Sequence, residues 1–451
     1  MAALASGPLV QVRGAVDARP NILLFFPDQW RPDWTCFTPG IDVRTPNLER
    51  LAGRGVRFTH AVVPSPLCAP SRACLAAGRE YENCRVASNQ FDYPADAPTV
   101  YGRLRDAGYH VMGCGKLDLH KKAKDWGLDG RRRMKEWGFS DMIDNAGKGD
   151  AVNSGVVTPK DPYMAMLHRR NLAAAHVQDF RRRKNYSVTS PTPLPDDAYC
   201  DNYVGSNAME LLGRAPRNAP WFMAINFTGP HAPMDITASM EPAVRGRRFA
   251  PARGNKEFDA ATHERIRQNY TAMVENLDRW LGRMVDGIRS RGELERTLIV
   301  VSSDHGEMLG DHGLWGKSVP WQESIGVPLV AAGPGVKAGR VVNGPATTLD
   351  LTATFLDYGG AEPLPAMESR SLRAQFEGRG KARREFVRSG LGPWRTVTDG
   401  RYKLMTGYGE KPRRLFDLRD DPDEERDIAE SKPRVADRLE KFIRSAAPRS
   451  G

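Results

Sequence analysis

Strand-like runs alternate with helix-like stretches over most of this chain, and that alternation limits its fold more than any other feature. In the run 21–26 (NILLFF), every residue after Asn21 is apolar, as is all of 298–301 (LIVV), the pattern of strands buried on both faces. Residues 56–63, 109–114 and 221–227 (WFMAINF) read as further strands. Between them lie helical stretches at 46–53, entered through Thr45-Pro46-Asn47, at 99–107, stopped by Gly108, and at 199–212. A long helix is predicted over 263–290, where Ile266, Tyr270, Met273, Val274, Leu277, Leu281 and Val285 recur at helical spacing. Such alternation predicts an α/β fold, a mostly parallel sheet sandwiched by helices.

The texture changes near residue 370. Residues 394–398, 401–405 and 414–418 read as short strands between turns, and 433–445 as a terminal helix. A small antiparallel sheet packed with one helix is therefore expected, a C-terminal subdomain over 371–451 behind a catalytic domain over 1–370. Residues 117–195, rich in Lys, Arg, Gly and Asp, read as a long excursion across the active-site face.

Several classes are excluded. No apolar run approaches the roughly 20 residues of a membrane span. Residues 1–20 carry Arg13 and Arg19 but no apolar core of a secretory signal. The six cysteines (36, 68, 74, 84, 114 and 200) show neither a disulfide framework nor a C-x-x-C pair. They are expected as reduced thiols of a cytoplasmic protein without a structural zinc. The net charge is +11, densest at Arg131-Arg132-Arg133 and Arg181-Arg182-Arg183-Lys184. No recognition motif accompanies these clusters, so no nucleic-acid partner is expected; a positive field helps collect an anionic substrate.

Chemistry-bearing residues fall where strands end. Asp28 and Gln29 follow the first strand, Cys68 opens a helix after the second, and Asp304 and His305 follow a later one. In open α/β sheets, ligands gather outside the carboxyl ends of strands. Two carboxylates and an amide oxygen suit one hard divalent cation, Ca²⁺ first with Mg²⁺ as an alternative, while His305 leans toward Mn²⁺. Cys68, in Cys68-Ala69-Pro70-Ser71-Arg72, faces helix amides that favour an anion, with Pro70 read as the first helical position and Arg72 one turn on.

That signature, the run Ser303 to Lys317 (SDHGEMLGDHGLWGK), Gly115-Lys116, Pro230-His231-Ala232-Pro233 and the tail Leu415-Phe416-Asp417-Leu418 with Asp421-Pro422-Asp423-Glu424 together resemble the type I sulfatases of the alkaline phosphatase superfamily. The resemblance spans nearly the whole chain, most weakly between 120 and 195. It implies an alkaline phosphatase-like fold and a Cys68 oxidised to formylglycine by a formylglycine-generating enzyme. The hydrated aldehyde would attack sulfur. Asp28, Gln29, Asp304 and His305 would hold the metal, and Arg72 would orient the hydrate. Lys116, His231 and Lys317 would clamp the sulfate, with His231 or Lys317 protonating the leaving group. Asn89 is a further residue expected to touch the site.

Three departures stand out. Ala77 replaces the usual threonine, which would slow the modifying enzyme. Asp118 stands where the family has a histidine, leaving His120 as the expected substitute in substrate binding. The Asp28-Gln29 and Asp304-His305 pairs resemble those of choline sulfatases and phosphonate monoester hydrolases. The expected activity is hydrolysis of a small-molecule or saccharide sulfate ester, aryl or carbohydrate, to an alcohol and sulfate. Two rivals are a phosphonate monoester or phosphodiester hydrolase using the same site, and a non-catalytic anion-binding protein whose Cys68 stays a thiol. Trp30, Trp126, Trp315 and Trp394 are available to stack on a ring, though packing is the commoner role.

Overall fold

The computed structural model describes residues 19–183, 186–254, 257–380 and 384–444. The stretch 1–18 read for a signal, Lys184 of the second basic cluster and Ser445 at the end of the terminal helix lie outside the described residues. Strands β1 (Asn21–Phe25), β2 (Val56–Val62), β3 (His110–Gly115), β4 (Asp141–Asp144), β5 (Trp221–Asn226), β6 (Thr297–Val301), β7 (Leu329–Ala332) and β8 (Arg340–Thr347) form one sheet. Its order is β4-β3-β5-β1-β6-β7-β2-β8. Neighbours are parallel except at β7, which is antiparallel to both β6 and β2.

Every residue of β1 is buried because helices cover both faces of the sheet. Side chains alternate across a strand. Ile22, Leu24 and Phe26 thus enter one core, beneath helices Cys68–Ala77, Val100–Asp106 and Asp350–Gly359. Leu23 and Phe25 enter the other, beneath helices Pro46–Gly53, Cys200–Arg214 and Ala260–Ser290. The last of these starts where Asp259 accepts the Thr262 amide at 2.7 Å, a side-chain cap for an otherwise orphan donor. Its apolar stripe, Ile266 to Leu281, lies in the second core as the spacing predicts.

The mostly parallel, helix-covered sheet is therefore the one expected. Strands β4, β7 and β8 were not foreseen. β4 is a four-residue edge strand bounded by aspartates, and β8 carries Asn343, Gly344 and Pro345. Within 117–195 the chain also forms helices Lys148–Gly155, Pro162–Arg169 and Ala173–Arg182. They pack around Trp126, Val152, Tyr163, Leu167 and Val177 as a separate small core.

The C-terminal sheet has β9 (Val387–Leu391), β10 (Trp394–Thr398), β11 (Tyr402–Thr406) and β12 (Arg413–Asp417) in antiparallel order β12-β11-β10-β9. One face packs Val397, Leu404 and Leu415 against Ala436 and Leu439 of helix Pro433–Arg444. The other sets Met405 and Phe416 against Met308 and Trp321, beside the loop that follows β6. Lys403 and Glu424 pair there at 2.6 Å with both side chains fully buried. Glu424 also accepts the Gln322 amide at 2.7 Å, joining the small sheet to the large domain. Lys403→Met strands that carboxylate in an apolar setting and is expected to cost about 3–5 kcal/mol in urea unfolding. Adding Glu424→Gln to it recovers most of the loss; a double variant no better than the single one would show that the pair is not what matters.

Candidate active site

Because β1, β2, β3, β5 and β6 run the same way, their carboxyl ends share one edge of the sheet. The segment after each contributes to one buried cluster. After β1, Gln29 takes a left-handed φ of 72°. The Tyr270 hydroxyl donates to the Gln29 carbonyl at 2.6 Å, and the Gln29 amide donates to Asp304 Oδ1 at 3.1 Å. Ser303 fastens this turn to the segment after β6, donating to the Pro27 carbonyl at 2.9 Å and accepting the Trp30 amide at 3.0 Å. At the end of β3, Gly115 at φ 85° lets Lys116 turn under the sheet, since a Cβ there would lie 2.0 Å from the Asn226 carbonyl.

The helix after β2 begins at Cys68 itself, so Pro70 sits inside the first turn rather than at its first position. That remains compatible with helix, because amides of the first turn lack intrahelical partners. Asn89 accepts the Ala69 amide at 3.0 Å and so anchors the turn that presents Cys68.

Cys68 Sγ lies 3.2 Å from His305 Nε2 and 3.9 Å from Asp28 Oδ1. His305 Nε2 is 3.5 Å from Asp28 Oδ1 and 3.6 Å from Asp304 Oδ1. One donor atom from each of Asp28, Cys68, Asp304 and His305 lies within 4.8 Å of every other. The outer oxygens face cations. Lys116 Nζ bonds Asp28 Oδ2, and Arg72 bonds Asp304 Oδ2 at 2.9 Å while its other arm reaches Asn226 Oδ1 at 2.8 Å. Lys317 Nζ completes the group, 2.5 Å from Gln29 Oε1 and 2.6 Å from His231 Nε2. Ten of the eleven residues singled out in the sequence thus bond within, or directly beside, this one buried group.

Charge follows geometry. Burial and Asp28 push the Cys68 thiol up, yet Lys116, Lys317 and His305 outweigh them and hold it well below the ordinary thiol range. Burial raises Asp28 too, and Lys116 leads the cations that bring it well below normal. Burial keeps Asp304 above normal despite Arg72. Burial would lower Lys116, but Asp118 and Asp28 together hold its ammonium well above its usual range. Burial and the Lys317 charge both lower His231. That direction agrees with a ring whose Nδ1 donates to the Ala232 carbonyl at 2.5 Å and whose Nε2 accepts from Lys317.

His120 is placed differently from the rest. Its Nε2 meets Asp144 Oδ2 at 2.7 Å, and its ring lies between Trp126 and Trp137, with centroids 5.4 and 5.0 Å away. Asp118, at the position of the family histidine, is the residue that reaches the cluster, 3.1 Å from Lys116 and 2.8 Å from Lys121. Of the four tryptophans, Trp30, Trp126 and Trp394 are buried. Trp315 stacks on Tyr186 at 4.4 Å and on His263 at 5.5 Å.

Sequence reasoning missed Glu307, Asn226 and Tyr186. Glu307 accepts the Leu309 and Gly316 amides at 3.0 and 2.7 Å and bonds the Gln29 side-chain amide, which fixes the loop carrying Lys317. The Tyr186 hydroxyl reaches the same carboxylate at 3.3 Å. A signal existed for Asn226 alone, a polar residue closing an otherwise apolar strand.

Known proteins resemble this chain in sequence and in fold. The sulfatase family model matches residues 20–361, and a model of the N-sulphoglucosamine sulphohydrolase C-terminal region matches residues 310–446. A choline-sulfatase of Rhizobium meliloti (strain 1021) is 27% identical over 442 residues, covering 92% of this chain and 83% of the relative. Arylsulfatase K of Bos taurus is 26% identical over 474 residues, covering 99% and 85%. Among solved structures, the phosphonate monoester hydrolase of Agrobacterium radiobacter superposes with a TM-score of 0.80 at 24% identity, covering 95% of each chain. That likeness carries the alkaline phosphatase-like fold. With the family model spanning the whole sheet and every segment of the cluster, the chain belongs to the sulfatase family.

Proposed function

We propose that this chain is a formylglycine-dependent sulfatase that hydrolyses an aryl or carbohydrate sulfate ester to its alcohol and inorganic sulfate, using one divalent cation. The observation that carries the reading is the position of Cys68 Sγ. It lies at a helix start, 3.2 Å from His305 Nε2, in a pocket where Lys116, Lys317 and Arg72 counter the two aspartates. Its sulfur stands where the formylglycine hydrate would stand.

The donor set fits a divalent cation. Asp28 and Asp304 give their outer oxygens to Lys116 and Arg72, so both Oδ1 atoms are left for the centre beside His305 Nε2. Ca²⁺ is the first choice for such oxygens, with Mn²⁺ favoured by the imidazole and Mg²⁺ as an alternative. Gln29 Oε1 faces Lys317 and adds an oxygen at the rim of that set. When bound, the cation would polarise the ester oxygens. When formed, the formylglycine hydrate would supply the attacking hydroxyl and a second hydroxyl for release of sulfate.

The remaining work falls to the chain's own side chains. Lys116 and Arg72 hold the carboxylates in place and balance the charge of an arriving anion. Lys317 carries the proton for the leaving oxygen, because His231 Nε2 is occupied in accepting from it. His231 aims that ammonium. Asn89 keeps the nucleophile's helix turn in register. A choline-sulfatase and a protein solved with its substrate D-glucosamine-2-N,6-O-disulfate among the relatives support a small alcohol or a sugar as the organic half.

A phosphonate monoester or phosphodiester hydrolase remains the second reading, favoured by the Asp28-Gln29 and Asp304-His305 pairs and by the fold match. A panel of aryl sulfate, phosphodiester and phosphonate esters separates the two. Sulfate esters are expected to lead in kcat/KM; dominance of a phosphorus ester would overturn the first reading.

Two smaller effects are expected here. Adding Ca²⁺ or Mn²⁺ to chelator-treated protein should raise Tm, by about 2.7 kcal/mol of stabilisation at a hundredfold excess over Kd. Asp304→Asn should abolish that shift, and a persistent shift would place the cation elsewhere. Asp118 bridges Lys116 and Lys121, with Lys121 held in turn by Asp150 at 2.8 Å. Asp118→Asn loosens that brace and should lower kcat about 10–100-fold with little change in KM. An unchanged kcat would show that Lys116 needs only Asp28.

A further inference from the structure

With Cys68 unconverted, the cluster offers a softer donor set than calcium prefers. Cys68, His305, Asp28 and Asp304 offer one sulfur, one nitrogen and two oxygens around a common point. A zinc ion bound tetrahedrally to such donors at about 2.0–2.3 Å sets them about 3.4–3.6 Å apart. The edges here are 3.2 Å for Cys68 Sγ to His305 Nε2 and 3.9 Å for Sγ to Asp28 Oδ1. They are 3.5 Å for His305 Nε2 to Asp28 Oδ1 and 3.6 Å for His305 Nε2 to Asp304 Oδ1. These four separations lie within a few tenths of an ångström of tetrahedral edges, and the remaining two are bounded by the 4.8 Å that encloses all four donors.

The supporting contacts point the same way. His305 Nδ1 lies 3.1 Å from the Gly306 carbonyl, and with Nδ1 donating there Nε2 can present its lone pair to the centre. Lys116 and Arg72 take the outer carboxylate oxygens, so each aspartate is held for one-oxygen ligation. All four donors are buried, so no ligand has to be gathered from solvent.

We propose that the chain whose Cys68 is still a thiol binds Zn²⁺ through Cys68 Sγ, His305 Nε2, Asp28 Oδ1 and Asp304 Oδ1, a closed and inactive metal form that precedes or competes with the mature enzyme. On binding, a sulfur lone pair forms the S–Zn bond, any proton still held on Sγ or on His305 Nε2 leaves to the buffer, and no electron is transferred. Soft thiolate and imidazole favour zinc, whereas conversion of Cys68 removes the sulfur and leaves a harder set. Maturation would then switch the metal preference of the site. Ala77, in place of the family threonine, makes an unconverted pool of this chain relevant, and the inference itself does not depend on the sulfatase reading.

The test uses full-length protein from a host lacking formylglycine-generating activity, with the Cys68 thiol verified by mass spectrometry and bound metal stripped by chelator. Co²⁺ serves as the spectroscopic probe. The expected result is an intense near-ultraviolet thiolate-to-cobalt charge-transfer band with strong tetrahedral visible bands, saturating at one equivalent and erased by one equivalent of Zn²⁺. Cys68→Ser should lose the charge-transfer band, and His305→Asn should weaken Co²⁺ binding at least tenfold, with circular dichroism reporting the fold of each. Cys68→Ala should lose the charge-transfer band as well, so the claim does not depend on one variant. Absence of the charge-transfer band, or the same band in Cys68→Ser, would overturn it. None of these readouts involves ester hydrolysis, so failure here leaves the sulfatase reading standing, and failure of that reading leaves this one.

Discussion

Cys68→Ala is expected to lower kcat/KM for a sulfate ester about 10⁵–10⁶-fold, the scale on which loss of a covalent nucleophile is felt in hydrolases. The loss should be chemical rather than structural. Cys68 is buried at the start of a helix whose other residues already fill the core beneath the sheet, so removing one sulfur leaves the packing of Ala69, Ala73 and Leu75 intact. Cys68→Ser makes the sharper experiment. Its single hydroxyl can attack the ester, yet it lacks the second hydroxyl needed to expel sulfate, so a stable adduct heavier by one SO₃ should accumulate on that peptide. In the parent protein coexpressed with a formylglycine-generating enzyme, the same peptide should be lighter by about 18 Da, since the change from thiol to aldehyde removes mass where sulfur oxidation adds it. An active protein whose Cys68 peptide keeps its thiol mass would sink the formylglycine mechanism. An inactive protein with an unmodified peptide would favour the anion-binding rival instead.

How much of this was legible in the sequence depended on what kind of signal each residue carries. β1 and β6 were readable because a strand buried on both faces must be apolar throughout, and the residues that follow such strands sit at the sheet edge where ligands gather. That rule put Asp28, Gln29, Asp304 and His305 at strand ends, and the resemblance of the run from Ser303 to Lys317 to a sulfatase signature decided their reading as metal ligands. Strand β4 escaped it because an edge strand with alternating burial has no continuous apolar run, and Asp144, its last residue, partners His120 at a distance sequence cannot express. His120 illustrates the general difficulty. Its spacing from Lys116 left it free to turn either way, and the choice was made by Asp144 and two indoles from the same excursion. Glu307 lay inside a recognised run but had no readable role, because that role is to bind two backbone amides and a glutamine amide brought in by folding. Motif positions were therefore legible as an inventory. The hydrogen bonds that assign each one a task were not.

The assignment of the proton donor shows what those hydrogen bonds add. Sequence left His231 and Lys317 as equal candidates, and their contact at 2.6 Å separates them. Two donors cannot share one hydrogen bond, and the ammonium can only donate. His231 must then accept at Nε2, which agrees with its donation from Nδ1 to the Ala232 carbonyl and with burial and the lysine charge lowering its basicity. On the proposed mechanism, Lys317 would bring the proton and His231 would direct it. If so, Lys317→Ala should cost about 10²–10⁴-fold in kcat, with the loss growing as the leaving alcohol becomes more basic. A nitrophenyl sulfate, which departs as a stable phenolate, should suffer least and an alkyl or sugar sulfate most, steepening the dependence of rate on leaving-group pKa. His231→Ala should lower rates by a similar factor for every ester, because it misplaces the donor without removing it. The imidazole's lowered basicity also puts its protonation below its ordinary pKa of 6.5, so any acid limb due to His231 should lie below that pH and vanish in His231→Ala. Should the steep leaving-group dependence follow His231 rather than Lys317, the two roles are reversed and the hydrogen bond must reorganise when substrate binds.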